Sequence, residues 1–116
     1  MSAHKTVVQT YMEGFRRGDH ARILACLADE VVWVLHGYKT LRGRDAFMSE
    51  ITGAEFEGGL AITVDRLVEE GDTVVAAGRS GTGTAGEGPG LAFCELFTFS
   101  GGAITRLDTY HVWLRA

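Results

Sequence analysis

The chain has 116 residues, 46% of them hydrophobic and 22% charged, with a formal net charge of −4. That is one ordinary domain, large enough to bury a core without disulfides or metal and too apolar to stay disordered. Acids and bases are interspersed, so there is no basic stripe for nucleic acid, and no apolar run is long enough to cross a membrane. MSAHKTVVQTYMEGFRR has acidic and polar residues where a secretory leader would be apolar, which predicts a cytoplasmic location. Cys26 and Cys94 have no CxxC partner and read as reduced, buried, small hydrophobes.

Val7, Val8, Tyr11, Met12 and Phe15 recur at helical spacing and predict a helix over residues 4–17. Arg16 and Arg17 suit its last turn and Gly18 its C-terminal cap. Asp19 is then an N-cap for a short second helix carrying Ile23, Leu24 and Leu27. VVWVLH, 31–36, is β-branched and aromatic and reads as a strand. GYKTLRG reads as a loop, with Arg42 and Arg44 solvated, and RDAFMSEI as a third helix ending at Gly53.

The second half is strand-rich. LAITVDRLVEE, the turn EGDT and VVAAGRS predict a hairpin. Residues 81–90, GTGTAGEGPG, lack a Gly-Lys-Ser/Thr ending and a following helix, so they read as a hairpin loop, or a flap over a pocket mouth, and not as a phosphate loop. Strands follow at 91–100 and 103–114. Helices grouped before sequential strands with short turns predict a single α+β domain, residues 1–116, with an antiparallel sheet.

Several stretches together resemble one family: VVQTY in the first helix, the Gly18-Asp19 step, LADEVVW, LRGRDAF and the closing LFTFSGGAITRLDTY. They resemble the nuclear transport factor 2-like superfamily, and within it the SnoaL-like polyketide cyclase and ketosteroid isomerase branches. The resemblance spans nearly the whole chain and rests on the order of weak motifs. It implies a cone-shaped α+β barrel, with three N-terminal helices packed on a strongly curved antiparallel sheet around a deep pocket. It also implies a homodimer through the outer face of the sheet. Isomerases, cyclases, dehydratases, epoxide hydrolases and non-catalytic modules share this fold, so fold alone does not settle function.

The resemblance also marks residues. Tyr11 stands where ketosteroid isomerases carry an oxyanion-donating tyrosine; a plain core tyrosine is the alternative. Glu95 stands where they carry a protonated aspartate, with one methylene more, which would loosen an oxyanion site. Counting by twos through FCELFTF sets Glu95 among Phe93, Phe97 and Phe99 and favours an inward, neutral carboxyl. On the other register, Ala92, Cys94 and Leu96 turn inward and Glu95 meets Arg79 or Arg106. The isomerase base falls at Val34 or Leu35, neither of which accepts a proton, so the family's steroid reaction is not expected.

His111, in register with Leu107, Thr109 and Trp113, and His36, at the end of the first strand, are the candidate proton carriers. An inward histidine is more often simply a hydrogen-bonded core residue. No HxH or HxxxH spacing points to a metal, and no cofactor is expected. Phe15, Trp33, Leu35, Phe47, Phe93, Phe97, Thr109 and Trp113 are the expected lining of a pocket for a small hydrophobic molecule. Two functions follow as expectations. One is an isomerase, cyclase or dehydratase working by side-chain acid/base chemistry on a carbonyl compound. The other is a non-catalytic ligand-binding or dimerisation module.

Overall fold

Helix α1, Ala3–Arg17, buries Val8, Tyr11, Met12 and Phe15, the apolar stripe that its periodicity predicts. These residues belong to a computed structural model that describes residues 2–53, 59–82 and 88–114; the side chains of 82, 88 and 89 lie outside that description. Ser2 Oγ accepts from the Lys5 amide at 3.0 Å and caps the start of α1. Gly18 ends it in the left-handed region, φ 64°, where a side chain would be strained. Asp19 caps α2, His20–Leu24, by accepting from the Arg22 amide.

Strand β1, Leu27–Leu35, starts earlier than its apolar run. Leu27 is buried and Cys26 O accepts from the Ile104 amide, so sheet contacts extend the strand through polar Asp29 and Glu30. The expected loop at GYKTLRG contains a short strand, β2, Lys39–Arg42, antiparallel to β1. It is nearly all exposed and shows no apolar alternation, which hides a short edge strand from sequence reading. Helix α3, Arg44–Ile51, buries Phe47 and Ile51. Arg44 is not simply solvated. It donates to Leu24 O at 3.1 Å and pairs with Asp29 at 3.3 Å, tying α3 to the corner between α2 and β1.

Four long strands follow: β3, Ile62–Glu70; β4, Thr73–Thr82; β5, Gly88–Ser100; and β6, Ala103–Trp113. The sheet is curved and six-stranded, in the order β2-β1-β6-β5-β4-β3. Every sequential pair is antiparallel, as predicted, but β1 and β6 run parallel, so the sheet is mixed. No hairpin fixes the relative direction of β1 and β6, so turn signals carry no information about it. Residues 83–87 of the glycine-rich link, including any flap, lie outside the described residues.

The inner face of the sheet carries Phe93, Glu95, Phe97 and Phe99 from β5, and Ile104, Leu107 and Thr109 from β6, all buried against α1 and α3. Ala92, Leu96 and Cys94 face outward; Cys94 is only half-buried, contrary to its expected place in the core.

Candidate functional site

Alternation along β5 brings the Glu95 carboxyl inside, and α1 presents Tyr11 from above. The Tyr11 ring meets Phe15 at 5.0 Å, Phe97 at 5.1 Å and Phe47 at 6.3 Å, each edge-to-face. Opposite Glu95 on β6 sits Thr109, and beside Thr109 on β1 sits Leu35. Trp33 stacks on Phe47 at 4.4 Å. Its indole Nε1 donates to Thr109 Oγ1 at 2.9 Å, and Thr109 Oγ1 donates to Glu95 Oε2 at 2.6 Å. A polar chain thus runs Trp33, Thr109, Glu95 through an otherwise apolar interior.

Burial pushes the Glu95 carboxyl up to about 7, with the Thr109 hydrogen bond pulling the other way. Burial, and then the nearby Glu95 charge, hold Tyr11 well above the ordinary tyrosine range. In mildly acidic solution Glu95 is therefore mostly protonated and, like Tyr11, a hydrogen-bond donor. Among the described residues, neither Tyr11 Oη nor Glu95 Oε1 has a protein hydrogen-bond partner.

Along the inner face of β6, exposure rises from 0% at Leu107 and 2% at Thr109 to 69% at Trp113. Leu35, Phe93 and Glu95 each keep 8% of their surface, whereas Phe97 keeps none. Exposure therefore grows toward the C-terminal end of β6, and Glu95 stands near the limit beyond which burial is complete. Facing Phe97, Glu95 and Phe93 on β4 are Val74, Ala76 and Gly78, a row that shrinks toward the opening. The taper ends at Gly78, where neighbouring atoms leave no space for a side chain. A Cβ at Gly78 would lie 2.0 Å from Thr63 O and 3.0 Å from the Phe93 ring. The row is legible in VVAAGRS as small residues at two-residue steps, a signal that reading the segment simply as a strand misses.

The predicted site residues divide cleanly. Phe15, Trp33, Leu35, Phe47, Phe93, Phe97 and Thr109 are buried around Tyr11 and Glu95. His111, paired with Phe93, shares the face of Glu95 but stands at the opening, exposed. Partial desolvation there holds its pKa below the ordinary histidine value.

His36 does not belong to the site. Leu35 uses the inward position, so His36 turns to the outer face, bonds Asp108 Oδ1 at 2.9 Å and stacks on Tyr110 at 4.1 Å. Trp113 is a rim residue and not lining, because β6 outruns the core there. Arg79 and Arg106, the alternative partners of Glu95, instead bond Asp65 and Asp108 on the outer face. Of Val34 and Leu35, Leu35 is the inward residue. Thr109 and Trp33 were expected as lining only; their hydrogen bonds follow from strand register, which the sequence does not state.

Among the described residues no group of three or more His, Cys, Asp or Glu could hold a metal ion. A separate cleft of about 490 Å³ lies between α1 and β3, lined by Gln9, Glu13, Arg16 and Arg66 over Val8 and Met12. It contains none of the predicted site residues.

Residues 8–107 match the SnoaL-like domain family. The chain belongs to that family. Solved structures agree on the fold of this SnoaL-like domain. A putative ketosteroid isomerase from Kribbella flavida superposes with a TM-score of 0.83 at 16% identity, covering 98% of this chain and 81% of that one. TerC, co-crystallised with polyporic acid, gives 0.82 at 24% identity over 96% and 92% of the two chains. An LEH-like epoxide hydrolase from M. tuberculosis gives 0.79 at 19% identity over 95% and 83%. At these identities the likeness is one of fold. A comparison with curated proteins finds no match.

Proposed function

We propose that this SnoaL-like domain binds a small, largely apolar molecule through a carbonyl or phenolic oxygen, with Tyr11 and Glu95 donating to that oxygen. The observation that carries the reading is the pair Tyr11 and Glu95, buried residues on facing elements, whose Oη and Oε1 make no hydrogen bond to another described residue. The surrounding aromatics suit a flat ring system. TerC, a fold relative solved with an organic acid, supports the same ligand class.

The chemistry that fits is an isomerase, cyclase or dehydratase step on a carbonyl compound. His111, neutral at pH 7, accepts a proton from the carbon beside the carbonyl. The electron pair left behind forms the carbon–carbon double bond and moves charge onto oxygen, where Tyr11 and Glu95 stabilise it. Glu95 and His111 are diagonal neighbours on adjacent strands, roughly 7–8 Å apart, close enough for one small ligand to touch both. The second reading is a binding module without catalysis, and Leu35 favours it, since it puts an inert side chain where related isomerases carry their base. In either case the outer face, with Val32, Val34, Leu96, Tyr110 and Val112, forms a homodimer contact.

Titration with phenols of increasing acidity tests the donor pair. Wild type should prefer the more acidic phenols, and Glu95→Gln or Tyr11→Phe should weaken binding by more than ~1 kcal/mol. Equal binding by all three proteins would sink the oxyanion reading. Deuterium exchange beside the carbonyl of a bound cyclic ketone separates enzyme from binding module. Exchange that His111→Ala abolishes supports catalysis; exchange no faster than buffer leaves the binding module.

A further inference from the structure

We propose that Trp33 and Thr109 are positioning residues that fix which oxygen of Glu95 carries its proton, so that Oε1 always presents the donor to the ligand. The inference rests on the proposed donor role of Glu95 and goes beyond it by giving the donor a direction.

An indole N–H can only donate. Thr109 Oγ1 therefore accepts the 2.9 Å bond from Trp33 Nε1 and has one hydrogen left to give. That hydrogen goes to Glu95 Oε2 at 2.6 Å. A proton on Oε2 would have to displace it, leaving the Thr109 hydroxyl without an acceptor among the described residues in a fully buried place. The neutral carboxyl thus keeps Oε2 as acceptor and carries its proton on Oε1. Each group donates to the next, so the dipoles align from Trp33 to the ligand and each bond strengthens its neighbour. The Thr109 bond also stabilises the carboxylate, which makes the Oε1 proton more acidic and a stronger donor.

Few other groups compete for control of this carboxyl. Tyr11 faces it from α1, with Cys26 behind, and His111 faces it from β6. Trp33 from β1 and Phe47 from α3 carry no charge, and β4 offers only Ala76. The ligand class that matches is an oxygen acceptor with full or partial negative charge, such as a phenolate or enolate, over ligands that must donate at the same point.

The test follows the carbonyl stretch of Glu95 by difference infrared spectroscopy against pH, using Glu95→Gln to assign the band, alongside binding of p-nitrophenol. Thr109→Val should raise the midpoint of Glu95 ionisation by at least ~0.5 pH unit and weaken p-nitrophenol binding roughly tenfold, and Thr109→Ser should restore both. Trp33→Phe should shift both in the same direction by less, and it serves alone if the valine variant does not fold. An unchanged midpoint and affinity in the variants, with only stability reduced, would overturn the relay. If wild type fails to bind the phenol while the midpoint still moves with Thr109, the relay stands and the proposed ligand class falls.

Discussion

Glu95→Gln should make stability less dependent on pH, by an amount the structure fixes. In the folded chain the Glu95 carboxyl is raised from 4.5 to about 7 by burial. Between those values the folded state holds a proton that the unfolded chain has released, so wild-type stability falls as pH rises through the window and levels off above it. The full gap corresponds to roughly 3 kcal/mol, of which about 2.5 kcal/mol is lost between pH 5 and pH 8. Glutamine preserves the acceptor for Thr109 and carries no titrating proton. Relative to wild type, the variant should therefore gain about 2.5 kcal/mol over that interval. Urea denaturation at both pH values measures the gain, provided the slopes match. His111 and the surface carboxylates titrate in both proteins and cancel in the difference. A difference that is flat to within ~0.5 kcal/mol would show that water reaches the carboxyl freely, and the reasoning would fail at its first step.

His36→Ala should leave phenol affinity and its pH profile unchanged, because the ring lies on the outer face with Asp108 and Tyr110; a loss of affinity would return it to the site. Val112→Glu should turn a dimer into a monomer on analytical ultracentrifugation, since like charges would then face each other across the apolar surface; an unaffected dimer must use another face. Gly78→Ala should lower stability by about 1–3 kcal/mol in thermal unfolding, as its Cβ meets the Thr63 carbonyl; a neutral change would mean β3 shifts at no cost.

The first helix, its caps and the inward face of β5 are legible because period and capping residues are local signals, and Glu95 was found by counting in twos. The direction of β1 against β6 is not local, and β2 is too short and polar to announce itself. The same limit governs the site. Tyr11 and Glu95 could be placed on faces, but the partners of Glu95 depend on register across two strand pairs. His36 falls outside the site by plain alternation: with Trp33 and Leu35 inward, the next side chain faces outward.

The parallel seam between β1 and β6 has a kinetic consequence. Trp33 and Thr109 are 76 positions apart, so their bond forms only when the two ends of the chain close on each other. Hairpins β3–β4–β5–β6 need only short loops, whereas this seam needs the longest closure in the sheet, the kind of contact that slows folding. We expect the seam to be the last part of the sheet to assemble. Pulse-labelled amide exchange during refolding should protect Val75 and Leu96 before Val34 and Thr109. Ligand chemistry would then be absent from every intermediate, because the polar chain that serves it is completed in the same event that completes the fold.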